Sequence, residues 1–218
     1  VYGAELAEPA PTRHAVGAGL ARVLRSPGMS RLLLVSVFYI VVLQAALSYL
    51  VPAVRDAGLS PLWSSVVFFV MQVGAAVSRV AWGRIADRDG GRRRTRTLAE
   101  AGWAAAIGAA LLASLLYAGP AAIIVAVIGF SLGAMGWNAL VYVTAGERGP
   151  HGLTAQSVAV AATVIFTTAA VSSPLMGAIA AGLGWLGFWA LCAGIAVVGA
   201  LIARGLSDEP TTSDAPGR

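Results

Sequence analysis

The sequence predicts an all-α membrane protein, a bundle of six transmembrane helices. Three observations predict it. Hydrophobic residues make up 58% and charged residues 11% of the 218 residues, where a soluble domain carries about 45–50% and about 25%. The charges that do occur are gathered between long uncharged windows. The Arg residues gather beside alternate connections, Arg55 being the exception. So few charges do not cover a soluble core of this size. The apolar runs are continuous rather than alternating over about ten residues, which excludes a membrane β-barrel.

A helix needs about 20 residues to cross a hydrocarbon core of about 30 Å. Leu32 to Val54 is 23 uncharged residues and predicts helix one over 31–54, with Pro52 near its end. Ala57 to Ser78 is 22 uncharged residues and predicts helix two over 61–84. Ser60 is a candidate N-cap there, and Pro61 suits a first turn whose N–H needs no partner. Ala101 to Gly146 is a 46-residue window broken by Tyr117-Ala118-Gly119-Pro120. It predicts helix three over 96–118 and helix four over 121–145, with Gly119 as a candidate N-cap. Gly149 to Ala203 runs 55 residues without Asp, Glu, Arg or Lys and is broken at Gly182-Leu183-Gly184-Trp185. It predicts helix five over 152–181 and helix six over 184–204. Pro174 is expected to kink helix five. Trp63, Trp185 and Trp189 on one side, and Trp82 and Trp103 on the other, are read as interfacial belts.

Arg placement orients the bundle. Arg22, Arg25 and Arg31 precede helix one; Arg84, Arg88, Arg92, Arg93, Arg94 and Arg96 surround the connection after helix two; Arg148 follows helix four and Arg204 ends helix six. The opposite side has only Arg55, beside Asp56. A multi-pass protein of the cell membrane (plasma or inner) with both termini cytoplasmic is expected. Residues 1–30 read as a tail or the remnant of a central loop, 31–204 as the membrane domain, and 205–218 as a disordered tail. Gly17 to Arg25 is a short basic amphipathic stretch, a membrane-surface segment or a linker. The chain opens on Val with no basic–apolar–small pattern, so no signal peptide is read.

Several functions are excluded. One Cys, Cys192, makes no internal disulfide, and His14 and His151 are too far apart in sequence to suggest a metal site. All 15 basic residues are Arg, so no phosphate-binding loop that requires Lys is present. The net charge of +5 and pI near 10.1 lie beside apolar runs, which fits anionic headgroups and not nucleic acid. The spans lack clustered His, Asp or Glu, so no enzyme, no cofactor and no metal is expected.

The most informative segment is Gly83-Arg84-Ile85-Ala86-Asp87-Arg88-Asp89-Gly90-Gly91-Arg92-Arg93. Gly90 and Gly91 permit a sharp turn between antiparallel helices, and Gly83 is expected to let a neighbouring helix approach. Asp87 at the membrane edge needs an Arg or a helix N-terminus as partner, and the Arg cluster anchors the loop to acidic lipid. The segment resembles the signature loop of the major facilitator superfamily, G-x-x-x-D-R-x-G-x-R-R, matched at Gly83, Asp87, Arg88, Gly90, Arg92 and Arg93. The resemblance implies a six-helix half-bundle whose loop gates conformational change, with Asp87 set against the start of helix five, here Gly152 to Gln156. The run from Gly136 through Trp137, Asn138 and Tyr142 to Pro150 and Ala155 resembles helices four and five of a carboxy-terminal half. Thr144 stands where relatives often carry an acidic residue, with Glu147 three residues on.

A family transporter has two such halves with substrate at the midplane between them. The resemblance therefore implies a half of a secondary transporter that moves a small molecule by alternating access, proton-coupled efflux being one form of it. The alternative is a non-transporting membrane fragment, or a scaffold or binding half that needs a partner chain. The expected partners are the lipid bilayer, a small-molecule substrate, and a second half or a second copy. No acidic or basic side chain lies at the midplane, so the substrate-binding candidates are uncharged: Gln44 and Ser48, four apart on one face, Gln72 and Asn138. The resemblance, which implies that helices one and four line the cavity, favours Gln44, Ser48 and Asn138 and adds Trp137. Helix–helix hydrogen bonding is the competing role for each. Arg79 is expected to snorkel or to pair with Glu100, the carboxylate set furthest into a span.

Overall fold

The computed structural model describes residues 13–88 and 93–206. Gly90 and Arg92 lie outside the described residues. Seven helices follow one another among those described: α1 (Arg13–Arg25), α2 (Met29–Asp56), α3 (Pro61–Ala86), α4 (Arg94–Leu115), α5 (Pro120–Ala134), α6 (Trp137–Arg148) and α7 (Thr154–Arg204). Helices α2, α3 and α4 are the first three expected crossings. The caps follow local chemistry: Ser60 Oγ accepts from the Trp63 N–H at 3.4 Å, and Pro61 and Pro120 occupy first turns.

The fourth crossing departs from the expected single helix. It is α5 followed by α6, interrupted at Met135 and Gly136. Gly136 abuts the Ser78 backbone and the Trp82 ring of α3, leaving no room for a Cβ. A continuous helix would give the Leu132 carbonyl to the N–H of residue 136; here the Trp82 indole N–H donates to it. A neighbouring helix therefore supplies a bond that the break removes.

The fifth and sixth crossings are the two limbs of α7. At 51 residues, a straight helix would be about 75 Å long, more than twice a bilayer core. Gly184 interrupts it with φ 65° and ψ 174°. Along α2, the second limb supplies Trp185 beside Asp56, Phe188 against Tyr49, Gly199 against Tyr39 and the Gly205 carbonyl to Arg31. Rising numbers on one helix meet falling numbers on the other, so the second limb runs antiparallel to α2. The first limb runs parallel to α2: Gln156 near its start lies against Gly19, which precedes α2, and Ser173 further along lies beside Ser48 and Tyr49. The reversal needs no separate loop.

Lipid is as apolar as the side chains, so helix pairing rests on close packing and hydrogen bonds. In α4 and α5, Gly108 faces the Phe130 backbone and Gly133 faces the Ala105 backbone without space for a methyl. Tyr39 is wedged between Gly102 and Gly199 and donates to Leu98 O at 2.8 Å. Phe130, Phe188 and Trp189 form a chain of edge-to-face rings.

Three further expectations are corrected. Trp189 is wholly buried, because Phe130 and Phe188 enclose it, so it forms no interfacial belt. Gly83 has nothing within 4 Å of a built Cβ among the described residues, so it mediates no close helix approach there. Glu100 pairs with Arg96, one turn away on α4, so of the two roles expected for Arg79 the pair with Glu100 is not formed among the described residues, and Arg79, exposed on α3, keeps the other. Within the stretch read as a tail or central-loop remnant, α1 (Arg13–Arg25) packs Gly19 against the Gln156 side chain of α7.

Candidate functional site

Two groups of polar side chains stand apart from this packing. The first is at the Arg-rich end. Asp87 caps the C-terminus of α3, and Glu147 lies in the last turn of α6. Both carboxylates sit at the negative ends of their own helix dipoles. Arg94, the first residue of α4, lies between them. Its Nη2 is 3.4 Å from Asp87 Oδ1, and its Nη1 pairs with Glu147 Oε1. One guanidinium and the N-terminus of α4 thus offset two badly placed charges. The Arg94 side chain is 20% exposed, against 71% for Asp87 and 51% for Glu147. Exposed pairs of this kind contribute about 0–1 kcal/mol each, so the bridge joins three helix ends at little cost to undo.

Among the described residues Asp87 makes no ion pair with the start of α7. Its ion pair among the described residues runs to Arg94 and on to Glu147, seven residues before α7 begins at Thr154. Arg88 is exposed. Arg93 is the N-cap residue of α4, and its carbonyl accepts from the Thr97 N–H and hydroxyl, each at 2.8 Å.

The second group lies on a half-buried face shared by α2 and the first limb of α7. Gln44 Nε2 donates to Ser48 Oγ at 3.2 Å, Ser48 Oγ and Ser173 Oγ are 3.1 Å apart, and Tyr49 OH donates to Ser173 O at 2.6 Å. Gly177 makes the last bond possible, because a side chain there would meet the Tyr49 hydroxyl. Pro174 follows Ser173 inside the helix and has no N–H to give to the carbonyl four residues earlier. The row is uncharged, can both donate and accept, and is held by two helices.

The remaining candidates lie elsewhere. Gln72 is exposed on α3 and makes no hydrogen bond to this row among the described residues. Trp137 is buried, edge-on to Tyr39 with ring centroids 5.6 Å apart, inside the bundle rather than on the open face. Asn138 is half-buried at the start of α6, and its Oδ1 is buried without a partner among the described residues. Ser173 and Arg94 escaped the sequence reading as members of these groups. The Ser-Pro pair marked the first, and a cation beside Asp87 the second, but neither signal names the partner helix.

Residues 3–173 match the family model described as Major Facilitator Superfamily. No individual curated protein matches the chain.

Proposed function

The chain belongs to the Major Facilitator Superfamily, and from that premise we propose that it is one half of a secondary transporter working by alternating access. The observation that carries this reading is the Gln44–Ser48–Ser173 row with Tyr49. The row satisfies part of its hydrogen-bonding capacity internally; the donors and acceptors that remain are costly on a face open to hydrocarbon, whereas on a face that a second half closes they line an aqueous cavity. The second half is another copy of this chain or another six-helix unit.

The row has no charge, so it suits a neutral solute carrying hydroxyl or amide groups and some apolar surface. Asp87, Arg94 and Glu147 form the latch that holds one of the two access states. The Arg-rich end faces the cytoplasm, as Arg retention on that side of a membrane requires.

Reconstitution into proteoliposomes tests this, using a panel of radiolabelled neutral polar solutes, with the chain alone and with candidate partner halves. Uptake that falls on Gln44→Ala or Ser48→Ala supports the reading. Uptake by the chain alone identifies a working pair of copies. Absence of uptake and binding under every pairing favours the non-transporting alternative. Asp87→Ala with unchanged uptake and unchanged state populations removes the latch.

A further inference from the structure

At the Arg-rich end, a cleft of about 230 Å³ opens between α4 and the end of α7, lined by Thr95, Arg96, Glu100, Trp103, Arg204 and Leu206 among others. Its Arg96 and Glu100 side chains are 68% and 44% exposed, and none of its lining residues belongs to the Gln44 row. The Arg204 guanidinium stacks on the Trp103 ring, 4.9 Å from its centroid, and donates no hydrogen bond among the described residues. Arg96 gives Nε to Glu100 at 3.0 Å, and its two terminal nitrogens donate no hydrogen bond among the described residues. Arg31 already supplies the α7 terminus with a donor, 2.6 Å from Gly205 O, so Arg204 is not needed there.

Toward the membrane middle the cleft gives way to apolar surface. Ile107 of α4 and Val198 and Leu201 of α7 are 61%, 42% and 52% exposed. Guanidinium groups at a helix-end cleft beside exposed apolar side chains match a phosphate with acyl chains beneath it.

We propose that this cleft binds the headgroup of an anionic phospholipid, with Arg96 and Arg204 on the phosphate and the acyl chains along Ile107, Val198 and Leu201. The charge balance selects an anionic over a zwitterionic lipid. Two cations face one carboxylate, Glu100, and that carboxylate is engaged by Arg96. The Trp103 face that would receive a choline or ammonium is covered by Arg204.

The test uses the full chain, purified in detergent and stripped of lipid. Thermal unfolding is followed with phosphatidylglycerol, phosphatidylcholine or sodium phosphate added, and retained lipid is counted by native mass spectrometry. Phosphatidylglycerol is expected to raise the unfolding midpoint and to persist as an adduct; phosphatidylcholine and phosphate are not. Arg96→Gln and Arg204→Gln are each expected to weaken retention about fivefold, while Arg55→Gln, at the opposite end, leaves it unchanged. Glu100→Gln removes the competing carboxylate and is expected to tighten retention, which gives a reading even if an Arg variant fails to fold. The proposal is overturned by equal retention of the two lipids, by phosphate acting as well as phosphatidylglycerol, or by retention that Glu100→Gln and the Arg variants leave unaltered.

Discussion

The indole N–H of Trp185 donates to Asp56 Oδ2 at 2.8 Å, tying the residue that follows the Gly184 reversal to the last residue of α2. Asp56 lies at the negative end of its helix dipole, so the bond relieves a local conflict. Trp185→Phe keeps the edge-to-face contact with Phe188 and loses the donor. The expected cost is roughly 1 kcal/mol, read by chemical denaturation in detergent. A double-mutant cycle with Asp56→Ala, which removes the acceptor, checks that the loss belongs to this pair; additive single effects would show that the bond contributes nothing.

Gly184 holds a backbone conformation that only glycine adopts readily, φ 65° and ψ 174°. Gly184→Ala should therefore cost about 1–3 kcal/mol. Gly182, two residues earlier, has open space around it and an ordinary φ. Gly182→Ala should be neutral or stabilising by up to about 1 kcal/mol through helix propensity. Unfolding midpoints of the two variants, side by side, separate backbone strain from the general effect of losing a glycine.

Gly108 faces the Phe130 backbone, whereas Gly129 meets only the end of Leu111 at 3.6 Å. Gly108→Ala pushes α4 and α5 apart at their crossing and should cost about 1–3 kcal/mol. Gly129→Ala should lie close to wild type. Equal midpoints for the two would mean that the α4–α5 crossing adjusts freely.

These glycines mark where the sequence was legible and where it was not. The crossings could be read because charge is excluded from hydrocarbon one residue at a time, a local property. Ser60, Pro61 and Pro120 could be read because capping is decided within one turn. The break at Gly136 could not, since it depends on the Ser78 backbone and on Trp82, more than 50 residues away along the chain. Trp189 sits near a span end in sequence, but its depth is decided by Phe130 and Phe188. Gln44 and Ser48 were identifiable as one face of one helix. Their continuation to Ser173 required knowing which helix packs alongside, and a uniformly apolar sequence does not encode that choice by periodicity.

Arg94→Gln releases Asp87 and Glu147 together. Stability should change little, by about 0–1 kcal/mol for each exposed pair, while the balance between access states shifts. Thiol labelling of cysteines introduced along the α2–α7 face reads that balance. Raising salt should move wild type in the same direction as the substitution, because exposed ion pairs are screened, and should leave Arg94→Gln largely unmoved.

Tyr49→Phe removes the bond to Ser173 O and should cost about 0.5–1.5 kcal/mol. Gly177→Ala drives the Tyr49 hydroxyl from the same carbonyl by bulk alone. Both variants should impair solute uptake by a similar factor if the bond fixes the Ser173 side of the row. A defect in Gly177→Ala alone would assign the effect to packing.

With a single residue as its whole connection, the Gly184 reversal gives a protease no extended segment to seat and an epitope insertion no slack to occupy. Topology reporters on that surface belong at residues 57–60 or 116–119, where non-helical chain joins α2 to α3 and α4 to α5. The last two crossings, rigidly joined at this point, should resist separation into independently expressed pieces.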